Sequence, residues 1–537
     1  MKYLKGIRTE LWANRYKFIV CLGILIFSQF TIQYRPLIIP RIYIIIVLIA
    51  LFILFAFSKL RDSNKLAWNA FVIIMSLGIV NALSMPVRQN LDENTHFFYA
   101  SQIADGNLFL RNITQSTYLE LSPTFLAETQ LPSRIEDGGT ENTNLYTQKF
   151  MKIRNTEVQY KKENLGGIAA FANPVYYPSA LGIALGRLIS PYFFVSYYLG
   201  RIFNLLMYAI LAFVAIKISR KYKLAIFVFS LIPYTVWVSA GYNYDALFYG
   251  LTLLIVAQLT NFFAREQVIT MRRMIVYIVS CVALVLCKAP MVLLVTIPLF
   301  FPGDYFDKAK TKLYTFLFAG IGGILSFLWV RQWLIISELR KFLGIAGEVK
   351  ARAIPSDNAI ALSHRLDYFI EHPIYTATLL LRTISDIPAS IYNTLAIPQP
   401  FMQRQFPSVT VEFFNIVLLT ILILIISYRL DFTLPKRMKF VILGIIGIIT
   451  AGVIYAMSGD DRTFTLGDLV VGGVQGRYHF YALLFLPLFL EPAAKHLFGQ
   501  RGAIKDIEHD KKIHNFIVYA VLLLTFVNTC VGLFGYL

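Results

Sequence analysis

The stretch "LAWNAFVIIMSLGIVNALSMPVRQNLDENTHFFY", residues 66–99, changes character once. Residues 66–85 carry no charge and are long enough to cross a hydrocarbon core of about 30 Å as one helix. Pro86 then punctuates the chain, and Asp92, Glu93 and His96 follow within a few residues. An acid pair at such a boundary has a plain reading, in which one carboxylate caps a helix and the other is solvated. It also has a chemical one. A carboxylate that is partly desolvated beside a second acid tends towards a raised pKa and can serve as a general base for a hydroxyl. If the stretch is helical, Asp92 and His96 stand one turn apart, and Glu93 shares nearly the same face.

The rest of the chain repeats the first half of this pattern. Of its 537 residues 57% are hydrophobic and only 15% charged, with a mean hydropathy of +0.60. Soluble domains are about 45–50% apolar and about 25% charged, so the composition is that of a polytopic membrane protein. Spans are expected near 18–34, 38–58, 66–85, 192–217, 222–240, 246–264, 273–288, 290–302, 312–336, 411–428, 439–457, 479–494 and 515–536. The fold class is therefore all-α: an integral membrane helical bundle of about thirteen spans, within a range of about eleven to fourteen. "CKAP" breaks 273–302 into short or kinked pieces, and "NPVYYPSALGIALGRLI", residues 174–190, suits a helix lying at the interface or dipping in. The first apolar run reads as a retained span, since no small-residue cleavage site follows an early apolar core. Cys21, Cys281, Cys287 and Cys530 all fall in apolar runs and read as buried small hydrophobes.

The net charge of +19 follows the topology. With thirteen spans, the segments at 2–17, 59–65, 217–223, 265–273, 307–312, 429–439 and 495–512 fall on one side and carry nearly all of that excess. That side is expected to be cytoplasmic, with contact to anionic membrane lipids, and no nucleic acid is needed to explain the charge. The long segments 86–191 and 337–410, and the shorter 458–478, then emerge outside. Three regions follow: an N-terminal cytoplasmic tail with two additional spans (1–65), a main membrane region (66–494), and a cytoplasmic loop with a final span (495–537). Loops as long as the first usually hold function and short helices of their own.

Further polar residues gather at the outer ends of spans. Asp245 opens a span in "YNYDALFYG", Lys288 lies in "LCKAP", and Arg201 sits in the outer half of its helix. "GGVQGRYHFY" places Gln475, Arg477, Tyr478 and His479 just before a span. Ionisable groups there are costly and are functional candidates by default. The plainer alternatives are headgroup snorkelling for Arg201 and Lys288, and helix capping for Asp245. Glycines beside Arg477 let backbone N–H groups and a guanidinium converge on an anion. No Walker loop or nucleotide fingerprint is present. The acid-x-x-x-His spacing also brings zinc to mind, but the seven histidines supply no second ligand nearby in sequence.

These blocks, with "NPVYYPSALGIALGRLI" carrying Tyr177, resemble a bacterial family of multispanning proteins catalogued as a domain of unknown function. That family is often grouped with the type C (GT-C) glycosyltransferases. The resemblance is spread over residues 66–494 and is most specific in the acid-Glu-x-x-His and Gly-x-Gln-Gly-Arg-Tyr blocks. It implies a GT-C-like bundle in the bacterial cell membrane, with its N-terminus cytoplasmic and its active site extracytoplasmic. A sugar would pass from a polyprenyl-phosphate donor to a cell-surface glycan or polymer acceptor, with inversion. Asp92 (first choice) or Glu93 would be the base, with His96 as neighbour. Arg477, Gln475 and His479 would receive the donor phosphate, supported by Lys288 and Arg201, while Asp245, Tyr478 and Tyr177 would be further site residues. The resemblance leaves a divalent cation, Mg or Mn, open. The competing readings are a transporter or flippase for lipid-linked glycans, a polymerase or ligase acting on them, and a non-catalytic envelope-assembly component.

Overall fold

The computed structural model describes residues 2–30, 41–85, 87, 90–114, 119–120, 151–157, 159–160, 164–344, 362–396, 409–499 and 507–535. Pro86, read above as a punctuation mark, lies outside the described residues. An amphipathic helix α1 (Lys2–Ala13) and the apolar helices α2 (Arg15–Phe30) and α3 (Arg41–Phe57) precede α4 (Leu66–Ser84). α5 (Glu93–Ala104) follows it. Antiparallel strands then appear, β1 (Leu110–Thr114), β2 (Leu119–Glu120), β3 (Gln159–Tyr160) and β4 (Asn164–Phe171), paired β1–β4 and β2–β3. They qualify the all-α expectation: among the described residues, the first long loop carries two small sheets besides its helices. Register in the larger pair sets Leu110 opposite Phe171.

Next come α6 (Tyr177–Ile189), α7 (Phe193–Ile218), α8 (Lys223–Ser230), α9 (Pro233–Ser239), α10 (Asp245–Phe263) and α11 (Met271–Val285). A 3-10 stretch, Ala289–Phe300, leads to α12 (Ala309–Val330) and α13 (Gln332–Phe342). The last third holds α14 (Arg365–Glu371), α15 (Pro373–Ala396), α16 (Val409–Arg429), α17 (Lys436–Met457), α18 (Phe480–Leu483), α19 (Leu486–Phe498) and α20 (Ile507–Gly535).

Among the described residues, seven helical segments are long and apolar enough to cross a membrane: Ser63–Ser84, Phe193–Ile218, Asp245–Phe263, Ala309–Val330, Val409–Arg429, Lys436–Met457 and Asp510–Leu533. Each coincides with one of the expected spans. The expected spans 18–34 and 38–58 lie partly outside the described residues; the remaining four are shorter or broken, and proline explains three of them. Pro233 has no N–H to give and holds Ile232 out of the helical region, so 222–240 becomes α8 and α9. Pro290 and Pro298 turn 290–302 into 3-10 helix. Pro487 starts α19 afresh after α18. The segment 273–288 is a fifteen-residue helix, α11.

The core forms where α4, α7 and α10 pack together, with α8, α9 and α20 around them. α10 is enclosed along 89% of its apolar window, whereas α12 is enclosed along 22% and turns Leu313, Phe316, Leu317 and Ile324 outward. α6 lies against α7 through Gly182 and Gly186: an added Cβ would stand 2.4 Å from the Leu199 carbonyl and 2.3 Å from the Ser196 Cα. Small residues at this spacing let helix backbones touch. Leu181, Leu185, Leu188 and Ile189 on its other side are exposed, as suits an interfacial helix. Polar pairs lock the bundle further: Asn415 and Asn528 exchange amide hydrogen bonds of 2.9 and 2.7 Å between α16 and α20.

The basic loops gather at one end of the bundle, tied to one another by ion pairs. There Lys221 faces Glu266 and Asp431, Arg265 pairs with Asp304, and Arg429 pairs with Asp510. The polar residues singled out from the sequence lie at the other end. The four cysteines are unpaired, and all but the half-buried Cys287 are buried.

Candidate functional site

The entry to α5 is clamped from three directions. Asn90 Nδ2 donates to the Trp237 and Val238 carbonyls at the end of α9. Asn243 Nδ2 donates to the Leu91 carbonyl at 3.0 Å. The third clamp is an ion pair. Arg201 Nε and its NH2 group each donate at 2.8 Å to the two oxygens of Glu93, and neither side chain has any exposure to solvent. Glu93 also accepts from the Asn90 and Tyr242 backbone N–H groups, while Arg201 NH1 donates to the Ala82 and Met85 carbonyls. This pair is saturated. It ties the end of α4, the start of α5, α7 and the chain before α10 into one unit.

Asp92, one residue earlier, is set differently. Held between these clamps, it adopts a left-handed backbone (φ 51°, ψ 27°), and its carbonyl accepts from Thr95 and His96 N–H groups. Such a conformation in a residue other than glycine costs on the order of 1 kcal/mol or more and concentrates at functional sites. Its carboxylate makes no capping bond and is 71% exposed. Asp92 is thus the cap of α5 by its backbone, and Glu93 and His96 point to different partners instead of sharing one chemical face.

Behind Asp92 lies a buried charge cluster. Lys288 Nζ donates to Asp245 Oδ1 at 2.7 Å, and the ammonium lies 4.5 Å from the ring centres of Tyr244 and Tyr478. Arg477 NH1 stands 3.4 Å from Asp245 Oδ2, and its NH2 group stands 3.8 Å from Asp92 Oδ2. Arg477 is 4% exposed, and its Nε and NH1 make no hydrogen bond of ordinary geometry. The glycine before it has a steric cause, because a Cβ on Gly476 would meet the Ser390 carbonyl at 2.3 Å. Gly476 N–H donates to Ser390 Oγ at 2.6 Å, so α15 supports Arg477 from behind. Asp245, Lys288 and Arg477 carry one positive charge in excess. Neither Lys288 nor Arg201 snorkels; each is held by a carboxylate.

His96 is buried, with Nδ1 2.8 Å from the Tyr176 hydroxyl and its ring edge-on to Tyr244 at 5.0 Å. Burial pushes its pKa from the ordinary 6.5 down to about 4, against the opposing pull of Asp245 and Asp92, so the ring is neutral at pH 7. Tyr176 is the partner here. Tyr177 turns away and donates to the Leu108 carbonyl at 2.7 Å. The Gln475 side chain is exposed beside Arg477 in the chain. His479 is buried beside Tyr481, 6.5 Å between ring centres, and is not brought to the cluster by any hydrogen bond or ion pair. A cavity of about 200 Å³ adjoins Tyr176 and is lined by Tyr99, Gln102, Asn107, Asn173 and Trp329.

The structure therefore brings Asp92, Asp245, Lys288, Arg477 and Tyr478 together, with His96 one aromatic ring away. It turns Glu93 and Arg201 inward as a brace, and leaves Tyr177 and His479 outside. Among the described residues no three His, Cys, Asp or Glu side chains gather as metal ligands. The space between Asp92 and Asp245 is taken by a guanidinium, so these residues do not fit a divalent cation, and positive charge comes from Lys288 and Arg477. Asn90, Asn243, Tyr176 and Trp329 were not singled out from the sequence. "NYD" and "VYY" contain two of these positions, Asn243 and Tyr176, but nothing local says which tyrosine turns inward.

No curated protein and no solved structure matches the chain. A family model described as "Predicted membrane protein (DUF2142)" matches residues 75–487, which include every residue of the cluster. The match covers more than half of the chain, which therefore belongs to this membrane protein family of unknown function.

Proposed function

We propose that the protein is a GT-C-type glycosyltransferase that takes a sugar from a polyprenyl-phosphate carrier and passes it to a cell-surface glycan at the outer face of a bacterial membrane. The observation that carries this reading is the exposed Asp92 carboxylate, held 3.8 Å from an Arg477 that is itself braced on the buried Asp245–Lys288 pair. A base open to solvent thus stands next to cations with donor capacity to spare. The gathering of basic loops at the opposite end supports placing the cluster outside.

The reaction needs few groups. Asp92 takes the proton of the acceptor hydroxyl while that oxygen forms its bond to the anomeric carbon from the face opposite the phosphate. The bond from that carbon to the phosphate oxygen breaks, and its electron pair leaves with the polyprenyl phosphate. Arg477 and Lys288 meet the developing charge as preorganised donors, the kind of interaction that usually contributes most to rate. Neutral His96, oriented by Tyr176, offers an uncharged polar group beside them. The adjoining cavity combines aromatic faces with carboxamides and no carboxylate or basic side chain, a chemistry suited to a neutral saccharide acceptor.

The test is transfer in vesicles from a panel of polyprenyl-phosphate sugars, with wild type beside Asp92→Asn. Transfer by wild type and its loss in the variant is the expected result. Full transfer by Asp92→Asn would remove the catalytic assignment. Movement of lipid-linked glycan across the vesicle without transfer would replace this reading with a flippase.

A further inference from the structure

A second feature lies at the opposite, basic end of the bundle. α1, the α3–α4 turn and the end of α7 enclose a crevice of about 990 Å³. Its apolar wall is Phe57, Trp68 and Phe213, and its polar rim is Lys59, Lys65 and Lys217. Glu10 also lines it, leaving an excess of two positive charges.

The crevice is built rather than incidental. Trp68 Nε1 donates to the Phe57 carbonyl at 2.9 Å. The Asn69 carboxamide holds the Lys59 backbone at both ends, accepting from its N–H at 2.7 Å and donating to its carbonyl at 2.9 Å. Trp68 stacks on Phe71, which meets Phe213 edge-on. None of the three ammonium groups has a carboxylate within 4 Å among the described residues, although Lys221, Arg265 and Arg429 at the same end are all paired. The wall also continues outward: Phe57, Ile53, Phe52 and Ile49 form an exposed apolar face along α3.

We propose that this crevice binds an anionic phospholipid. Its phosphate lies among Lys59, Lys65 and Lys217, and an acyl chain runs past Trp68 and Phe57 along α3. The charge excess selects a lipid of net negative charge, and the continuous apolar wall selects a chain-bearing ligand over a free anion. Basic pockets between spanning helices at the cytoplasmic surface are known to take such headgroups. This inference is independent of the chemistry at Asp92, which lies at the other end of the bundle.

The test uses the purified full chain and native mass spectrometry with dioleoyl phosphatidylglycerol against dioleoyl phosphatidylcholine. Wild type is expected to retain phosphatidylglycerol selectively, with a loss of roughly fivefold for each lysine changed to glutamine at positions 59, 65 and 217. A control carrying Lys308→Gln, Lys310→Gln and Lys312→Gln is expected to retain it. Equal retention of both lipids, or an equal loss in the two triple variants, would overturn the site. If the first triple variant does not fold, brominated-chain phosphatidylglycerol decides the matter in otherwise native protein. It is expected to quench fluorescence that Trp68→Phe removes, and quenching that this change leaves intact counts against the proposal.

Discussion

Asp92 and Arg477, near the two ends of the family-matched region, meet with a carboxylate oxygen 3.8 Å from a guanidinium nitrogen, one side chain exposed and the other buried. The asymmetry has chemical consequences. An exposed acid can change proton and partner cheaply, while a buried, braced cation keeps its place as an anion comes and goes.

Asp92→Asn should abolish sugar transfer and leave thermal unfolding nearly unchanged, within about 0.5 kcal/mol, as expected of an exposed side chain. Asp92→Gly should also be inactive but somewhat more stable, because glycine relieves the left-handed backbone. Unfolding curves in detergent beside a transfer assay separate the two effects. A destabilised Asp92→Gly would count against the backbone argument.

Glu93→Gln and Arg201→Gln should each destabilise the protein by about 3–5 kcal/mol, since either leaves a buried charge without its partner. The double variant should recover part of that loss. Thermal melts of the three proteins form a double-mutant cycle. Single variants that melt like wild type would show that the pair does not brace the site.

Arg477→Ala should raise the donor KM far more than the acceptor KM, and Gly476→Ala should do so more weakly by pushing Arg477 away from Ser390. Titrating each substrate separately measures both. An unchanged donor KM in Arg477→Ala would remove this arginine from phosphate binding.

His96 gives a pH signature. Its folded pKa of about 4 lies below the ordinary 6.5, so the unfolded chain binds more protons between those values. Stability from this group is therefore complete above about pH 6.5 and is lost as pH falls towards 4, by on the order of 3 kcal/mol. His96→Gln should flatten the melting temperature over that window. An unaltered slope would mean that other groups carry it.

Much of the frame was legible in the chain. Uniformly apolar runs such as 66–85 announce helices because a hydrocarbon layer forces backbone polar groups to bond within one segment. The breaks at Pro233, Pro290 and Pro487 cut expected spans into pieces because apolar composition alone takes no account of a missing N–H. The strands in the first long loop stayed hidden among mostly polar residues, and β1 and β4 lie far apart in the chain.

The site was legible as residue types but not as roles. Glu93 and Asp92 are neighbours with the same chemistry in the sequence, yet one is buried against Arg201 and the other faces solvent. Local pattern determined that acids, two arginines and a lysine would stand at one end of the bundle, because membrane burial permits charges in few places. Only the packing of α7 and α10 against the start of α5 decided which acid is neutralised and which is left open. That choice depends on distances between residues far apart in the chain, and a sequence read along its length does not contain them.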